Sequence, residues 1–370
     1  NTTWDKTEAF FGQPWIWNVI CNEDQKVNMS GDLKQMQINF DKAFRNEINN
    51  NLVGVGTIPE GLGYNPIVQE FIYEKAWNQS TVDINSWIRN YAKRRYGTDN
   101  PSALEAWEEL YASVYSRTRT LWNPLITTPR LQIFKGPAED IRHVRKDIVI
   151  TGDNPLGMDF NVSSLYKAAE KLIACEEELN ESESYRFDLV NIHRELLSSL
   201  SHLFIHNLSE SYKKRDIEEF DLAAENILGL IDDLERVTAT HEMFSLPAWI
   251  EDARSWGLTP QEADYYETNA RTIITIWQPW KEGSLRDYAG KQWSGLFKTY
   301  YYPRWELFIS HLEKSLKEKS TFEYRDYDKA IRDIDYAWIN SKETIKTETD
   351  QDLFSTVKEI NNKYKKYFTQ

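Results

Sequence analysis

Two short apolar segments near the start of the chain constrain its fold more than any other feature. Residues 14–20 and 52–56 are nearly continuous apolar runs, as in strands that are buried on both faces of a parallel sheet. Helical periodicity fills 31–49 between them, and a second helix pattern opens at Asn65-Pro66 with proline in its first turn. The order strand, helix, strand, helix predicts two β/α units. Two units leave unpaired sheet edges, so we expect residues outside this chain to complete the sheet.

The rest of the chain, from about residue 82, shows only helix patterns. Asp83 is a candidate N-cap for a helix that stops at Gly97, and Asn100-Pro101 opens the next helix. The segment 132–160 is less regular and is expected to be a surface loop. Further helices are predicted at about 162–179, 184–212, 215–239, 247–255, 260–277, 285–299, 303–318, 326–340 and 350–367.

Composition argues against two classes of partner. The net charge is −14, and the basic clusters are confined to 93–95 and 363–366, where a solvated helix face explains them. A nucleic-acid-binding role is therefore not expected, because it needs basic surface to neutralise phosphates. No segment reaches the roughly 18 to 20 apolar residues of a membrane span. The 41% apolar content, with 14 Trp, 20 Tyr and 16 Phe, predicts a sizeable core.

Glycosylation signals point to the secretory pathway. Two cysteines, Cys21 and Cys175, are too few for a disulfide framework, and a pairing between them cannot be read from the sequence. Asn-x-Ser/Thr acceptor sites are more frequent than chance alone would supply, although an asparagine-rich chain remains the alternative explanation. The acceptors are Asn1, Asn28, Asn78, Asn161, Asn180 and Asn207.

Two signals that suggest metal or nucleophile chemistry have ordinary explanations. His202 and His206 have the i, i+4 spacing of helical zinc ligands, but the glutamate of a His-Glu-x-x-His site is missing. We interpret them as ordinary helix residues. Cys21 follows a strand as a nucleophile would, but no histidine partner can be identified. No metal site is predicted.

Glu60 is the most informative single residue. It follows the second strand, and in β/α barrels the catalytic groups lie at the carboxyl ends of strands. Gly54, Gly56, Gly61 and Gly63 surround it, so the backbone can approach a ligand closely. Taken alone, an acidic residue in a Pro-Glu-Gly turn is more often a solvated turn residue than a catalytic one.

Several segments along the chain are informative through their order and spacing. They are Gly12-Gln13-Pro14-Trp15-Ile16-Trp17, 53–61 (which ends in Pro59-Glu60-Gly61), 92–97, Trp277, Asp287-Tyr288-Ala289-Gly290-Lys291-Gln292, Leu296 and 301–305. In this order and at this spacing they resemble family 89 glycoside hydrolases, the α-N-acetylglucosaminidases. The similarity extends over nearly the whole chain, and its Pro-Glu-Gly and Asp-Tyr-Ala-x-Lys-Gln blocks are specific in combination.

The resemblance implies a mostly α fold. A large all-α C-terminal domain, residues 82–370, would follow the last two β/α units of a (β/α)8-type catalytic barrel, residues 1–81. The family removes terminal α-linked N-acetylglucosamine, including from heparan sulfate, with retention of configuration and with no metal or organic cofactor. Such enzymes use two carboxyl groups about 5–5.5 Å apart.

The resemblance also assigns residues to the site. Glu60 matches the nucleophile, and it is expected to point into a sugar-sized hollow whose opposite wall comes from outside this chain. The acid/base would lie in an Asn-Glu motif on an earlier strand, and this sequence contains no equivalent. Trp17, Trp277 and Tyr288 match aromatic positions of the sugar pocket. A core role is the alternative for each of the three.

The sequence departs from the family pattern after the first strand. Many members read His-Asn-Phe-Gly-Gly-Asn there, but residues 21–26 keep only Asn22. A pocket histidine that some members carry near Trp122-Asn123 is also missing. These changes leave substrate preference and activity open.

Two hypotheses follow. In the first, the chain is the C-terminal portion of a lysosomal or secreted α-N-acetylglucosaminidase that needs its N-terminal portion, as a separate or missing chain, and that acts on a glycan ending in N-acetylglucosamine. In the second, it is a catalytically inactive helical carbohydrate-binding or interaction subunit, a reading supported only by the altered 21–26 loop. A homo-oligomer is left open in either case.

Overall fold

The structure is a computed structural model. It describes residues 3–22, 26–45, 51–61, 63–78, 80–117, 123–130, 160–277, 286–346 and 352–369. By its internal contacts the chain divides into two compact units. Unit 1 contains Asn1–Leu121 and Ser163–Ser184, and unit 2 contains Trp122–Val162 and Tyr185–Gln370. This division differs from the sequence-based domains, whose boundary at residue 81 stays a prediction.

The predicted strands form a two-stranded parallel sheet in unit 1. Strand β1 is Trp15–Cys21 and strand β2 is Leu52–Pro59. An irregularity after Trp15 shifts the register by one residue, so that Asn18 lies opposite Gly56 and Cys21 opposite Pro59. The prediction of two parallel strands joined through a helix is confirmed.

The two faces of this sheet differ, which the sequence did not predict. One face packs on helices: Trp17 contacts Phe40 with ring centroids 5.4 Å apart, and the Thr57 and Tyr73 hydroxyls lie 2.9 Å apart. Along the other face, Ile16 and Ile20 are 53% and 56% exposed. The expectation of strands buried on both faces is therefore wrong for this chain, because its described residues cover only the helix side.

The helix that follows Asp83 in unit 1 begins and ends at the capping residues that the sequence predicted. The Asp83 carboxylate accepts hydrogen bonds from Asn85 N and Ser86 N, and Gly97 ends the same helix at a φ of 71°. Both cap positions follow from ordinary helix chemistry. The helices of unit 1 are α1 Thr3–Lys6, α2 Glu8–Phe11 (a single left-handed turn), α3 Leu33–Phe44, α4 Pro66–Trp77, α5 Ile84–Tyr96, α6 Pro101–Ala112, α7 Val162–Ile173 and α8 Glu176–Leu179.

Unit 2 is built around the long helix α9, Glu183–Lys214, which is buried over most of its length. Its other helices are α10 Ile217–Ala239, α11 Leu246–Ser255, α12 Pro260–Ile273, α13 Tyr302–Lys317, α14 Tyr324–Asn340 and α15 Leu353–Tyr364. Short 3-10 turns occupy Pro124–Ile126 and Glu242–Phe244 in this unit.

One predicted helix is wrong. Residues 286–296 run through turns and an irregular segment, and Phe297–Tyr301 then form a π-helix that leads into α13. Left-handed backbone at Asp287, Gly290 and Gly295 interrupts the helical path that the side-chain pattern suggested. The predicted loop at 132–160 lies outside the described residues, except for Phe160.

Candidate active site

Glu60 lies where the sequence placed it, at the carboxyl end of β2. Its backbone N–H donates to the Cys21 carbonyl oxygen over 3.1 Å, so pairing between the strands continues to this residue. The side chain is exposed. The described residues of unit 1 therefore do not form a hollow around the carboxylate, whose opposite wall was expected from outside this chain.

Glycines lower the surface of the sheet on the exposed face that leads to Glu60. Alternation along β2 puts Gly54, Gly56 and Glu60 on one face. A Cβ on Gly56 would lie 2.3 Å from Asn18 Oδ1, whereas a Cβ on Gly54 would have no heavy atom within 4 Å. A side chain on Gly56 would therefore displace the exposed Asn18 amide, which lies over it.

Asn18 is a candidate site residue that the sequence analysis did not single out. Its side chain occupies the same exposed face of the sheet as Gly56 and Glu60. The sequence shows a polar residue inside an apolar strand, but only the strand register shows that it lies opposite Gly56. Because Gly54 and Gly56 have no side chains beside it, the Asn18 amide is available for hydrogen bonding on this exposed face.

Trp17 lies on the opposite face of β1. It is 9% exposed and packs edge-on against Phe40 of α3. It also lines a cavity of about 310 Å³ together with Asp32, Met36 and Asn39. The contact with Phe40 gives Trp17 a core role within unit 1, and its contact with a sugar stays a prediction.

Trp277 and Tyr288 come together in unit 2. Their ring centroids are 4.9 Å apart and their planes are tilted by 49°, and both side chains are half-buried. Helix α12 ends before Trp277, whose N–H donates to the Thr272 carbonyl over 2.7 Å. A half-buried aromatic pair is suited to stacking on an apolar sugar face.

The backbone that presents this pair is strained. Trp277 has a φ of 63° and Asp287 a φ of 61°, a region that costs non-glycine residues about 1–2 kcal/mol each. The Asp287 N–H donates to the Thr275 carbonyl over 2.9 Å and so ties the two segments together.

A buried arginine holds the carboxylate of Asp287. Arg304 Nη1 and Nη2 lie 2.9 and 3.1 Å from its two oxygens, and the Thr128 N–H and hydroxyl both donate to it over 2.7 Å. Burial alone would raise the pKa of Asp287, but the charge and hydrogen bonds of Arg304 outweigh burial and lower it. The carboxylate is therefore ionised.

The other end of the same segment is held by a buried amide network. Gln292 Oε1 accepts from the Ser198 hydroxyl over 2.7 Å and from Asn123 Nδ2 over 3.2 Å. Next to it, Lys291 lies over the Trp293 ring at 5.3 Å, and burial lowers the pKa of its ammonium group to about 8. The Asp-Tyr-Ala-Gly-Lys-Gln block is thus anchored at both its first and its last residue.

Comparison with known proteins decides the family. Residues 87–363 match the family model described as the alpha-N-acetylglucosaminidase (NAGLU) C-terminal domain, which is more than half of the chain. The chain belongs to the alpha-N-acetylglucosaminidase family. Residues 1–79 match the tim-barrel domain of the same family, so the predicted fold, a mostly α chain that begins with the end of a barrel, is confirmed.

Relatives of this family cover nearly the whole chain. Human alpha-N-acetylglucosaminidase is 30% identical over 367 residues, which are 97% of this chain and 46% of the human protein. CpGH89 from Clostridium perfringens, solved in complex with its substrate GlcNAc-alpha-1,4-galactose, matches with a TM-score of 0.84 over 100% of this chain and 41% of its own, at 24% identity, which supports the fold.

A second solved structure agrees. The family 89 glycoside hydrolase from Clostridium perfringens in complex with PUGNAc has a TM-score of 0.81 and 26% identity, over 97% of this chain and 40% of its own. The chain thus spans less than half the length of the relatives that it matches.

The loop that departs from the family pattern begins with two buried residues. Burial raises the pKa of the Cys21 thiol to about 11, which disfavours the thiolate that a nucleophile needs. Asn22 is 3% exposed, has a φ of 53°, and donates through Nδ2 to the Lys26 carbonyl over 2.8 Å. Residues 23–25 lie outside the described residues, as does Trp122.

The remaining chemical signals stay ordinary. His202 is buried in α9, and in the part of the chain that the structure describes no three His, Cys, Asp or Glu side chains are arranged to hold a metal ion. Both cysteines are free and buried. Within the same described ranges, no helix has the length and apolar character needed to cross a bilayer.

Proposed function

We propose that this chain supplies the nucleophile and part of the sugar pocket of a retaining exo-α-N-acetylglucosaminidase. The observation that carries the proposal is the position of Glu60, within a Pro-Glu-Gly turn that directly follows the second of two parallel strands matched by the family's barrel model. Hydrolase activity is known for the relatives of this chain, and we propose the same activity for the enzyme to which this chain belongs.

The chemistry needs a second carboxyl group. In the proposed reaction the Glu60 carboxylate attacks the anomeric carbon of a terminal α-linked N-acetylglucosamine while a general acid protonates the leaving oxygen, and the glycosidic bond breaks. Water, deprotonated by the same acid/base, then displaces Glu60 and releases the sugar with its α configuration. We propose that the acid/base belongs to the N-terminal portion of the enzyme, because the resemblance puts this group on a strand earlier than the two that the described residues of the matched barrel segment form.

The substrate proposal rests on the aromatic residues. Trp277 and Tyr288 form a half-buried pair that suits the apolar face of a hexose, and the Clostridium perfringens relative was solved with GlcNAc-alpha-1,4-galactose. We therefore propose glycans with a terminal α-linked N-acetylglucosamine, including heparan sulfate, as substrates. Asn18, on the same face of the sheet as Glu60, is the proposed contribution of β1, and a sugar contact for Trp17, which faces α3, stays a prediction.

A lysosomal or secreted location is proposed from the acceptor sites. Asn78, Asn161 and Asn207 are exposed and Asn180 is half-buried, so a glycan can be attached there without disturbing the core. Asn28 is 2% exposed and should stay unmodified. Peptide mapping of protein from a eukaryotic host would test this pattern, and a glycan on Asn28 would contradict it.

The decisive experiment replaces Glu60 in the full-length enzyme that contains this chain. Glu60→Ala should abolish hydrolysis of an activated aryl α-N-acetylglucosaminide, and added azide should restore turnover with a β-glycosyl azide as the product, because azide replaces the lost nucleophile on the β face. Glu70→Gln is the matched control, since Glu70 is an exposed glutamate of α4. Full activity in Glu60→Ala would refute the assignment.

The rival proposal, an inactive carbohydrate-binding subunit, has the altered loop after β1 as its only support. It predicts that the parent protein binds N-acetylglucosamine but does not hydrolyse the aryl glycoside under any condition. Product stereochemistry, followed by NMR, tests the enzyme proposal further: initial release of the β anomer would show inversion and exclude a nucleophilic Glu60.

A further inference from the structure

The backbone that carries the aromatic pair Trp277–Tyr288 is not helical, so helix hydrogen bonding does not fix its conformation. Both Trp277 and Asp287, the residue before Tyr288, have left-handed φ angles. Such conformations persist where the surroundings over-determine them, and they concentrate at functional sites. The contacts that fix this segment are therefore of interest in their own right.

Those contacts converge on Arg304. Its guanidinium is fully buried, binds both oxygens of Asp287, and donates to the Thr128 hydroxyl over 2.9 Å. Its Nε lies 3.3 Å from Asp335 Oδ1, and its Cζ lies 4.5 Å from the centroid of the Tyr300 ring. The arginine therefore has contacts along its edge and on one face, and little freedom of its own.

The network also reaches the residue that precedes Asp287. Arg286 pairs with Asp335, which accepts a hydrogen bond from the Tyr300 hydroxyl over 2.9 Å. Two acidic residues and two arginines thus alternate around the segment that presents Tyr288. Buried ion pairs contribute little net stability compared with apolar packing, and their best-supported use is to specify one arrangement.

We propose that Arg304 is a positioning residue for sugar binding, which acts through Asp287 to fix the orientation of the Trp277–Tyr288 pair. The inference rests on the proposed function, because it takes that pair as part of the sugar pocket. It goes further because it names Arg304 as the residue that determines where the two rings lie, although the described contacts of Arg304 lead to Asp287, Thr128, Asp335 and Tyr300 and not to the rings themselves.

The chemistry of arginine is required for this role. The planar guanidinium binds Asp287 with two nitrogens while it stacks on Tyr300, whereas a lysine ammonium offers neither the fork nor the flat face. Arg304→Lys keeps the positive charge and removes the geometry. A displacement of the aromatic rings by about 1 Å lowers catalytic efficiency by roughly 10- to 100-fold.

A double-mutant cycle in the full-length enzyme tests the inference. Arg304→Lys should lower kcat/KM for the aryl glycoside about 10- to 100-fold in the parent protein. In a Tyr288→Ala background the same change should cause little further loss, because the ring through which it acts is already missing. Equal losses in both backgrounds would overturn the proposal.

The matched control is Arg271→Lys. Arg271 is also buried in unit 2 and lies 4.8 Å from the Trp338 ring. Among the described residues its side-chain hydrogen bonds lead to Glu267 and Glu343 rather than to the 286–288 segment. It should alter thermal stability without a selective loss of sugar affinity. A similar loss of affinity in both lysine variants would reduce Arg304 to a general structural role and refute the inference.

Two further measurements keep the test decisive. If Arg304→Lys does not fold, Thr128→Val removes a single hydroxyl donor to Asp287 and should weaken N-acetylglucosamine binding, measured by calorimetry in the Glu60→Gln enzyme. Unchanged binding there would contradict the proposal. If Glu60→Ala abolishes turnover but the cycle is additive, the inference about Arg304 fails and the proposed function stands.

Discussion

Glu235 should make the stability of unit 2 depend on pH. Its carboxylate accepts the Gly295 N–H at 2.6 and 2.8 Å and the Lys298 N–H at 3.1 Å, and so caps the π-helix Phe297–Tyr301. Burial raises the pKa of Glu235 from 4.5 to about 7, although these hydrogen bonds and the Lys298 charge oppose the shift. Asp232, the other charged neighbour, adds to the rise.

The sign follows from proton binding. The folded state holds a proton on Glu235 more tightly than the unfolded state does, so folding is favoured below pH 4.5 and this contribution is lost as the pH rises to about 7. A pKa shift of one unit corresponds to about 1.4 kcal/mol in the free energy of unfolding. Because Glu235 is only half-buried, solvent screening reduces the contribution of its whole shift to about 2 kcal/mol. Acidic conditions therefore favour the fold at this position.

Urea unfolding of wild type and Glu235→Gln at several pH values between 4.5 and 7.5 measures this contribution. The glutamine stays neutral, so its free energy of unfolding relative to wild type should rise by about 2 kcal/mol across that range. Glu225→Gln, at an exposed position of the same helix α10, should show no such trend. Parallel curves for wild type and Glu235→Gln would refute the reasoning.

Four further changes test the packing of unit 2. Burial lowers the pKa of His193 to about 4, so wild type should lose stability as the pH falls from 6.5 towards 4, and His193→Gln should remove that loss in acid urea titrations. Gly257→Ala would put a Cβ 2.3 Å from a backbone nitrogen of α12 and should cost about 1–3 kcal/mol by calorimetry. Gly229→Ala, with open space inside α10, should instead stabilise by up to about 1 kcal/mol. Trp305→Phe loses the 2.9 Å bond from Nε1 to the Leu125 carbonyl and should lower the unfolding free energy by about 1–3 kcal/mol in urea.

Local chemistry made much of the fold predictable. The Asp83 cap, the Gly97 stop and the Asn100-Pro101 start depend on only a few neighbouring residues, and each is found where the sequence placed it. The two parallel strands were equally readable, because continuous apolar runs flanked by turn residues leave few alternatives.

The failures came from long-range packing. The 285–299 segment has helix-compatible spacing, but Asp287 binds an arginine 17 residues further on, and this contact helps to hold a left-handed backbone. Gly290 and Gly295 were the available warning. For Trp17, strand alternation shows only that it shares a face with Cys21, whereas its contact with Phe40 depends on how α3 packs on the sheet.

The site was predictable only in part, for the same reason. Glu60 could be placed at a strand end from its own neighbours, whereas the importance of Asn18 depends on the register that sets it opposite Gly56. In the sequence, Arg304 was notable only as a member of the 301–305 segment that resembles the family. Its bonds to Thr128 and Asp335 join parts of the chain that no local sequence pattern relates.

The π-helix at Phe297–Tyr301 has a consequence for comparing relatives of this chain. A π turn holds one more residue than an α turn, and each residue of an α-helix advances the side chains by about 100°. Deleting a single position there would rotate everything before it by that angle relative to α13. A homologue whose alignment has a one-residue gap at this point has therefore lost the π turn. The tyrosine that corresponds to Tyr300 must then approach the arginine that corresponds to Arg304 from a different direction.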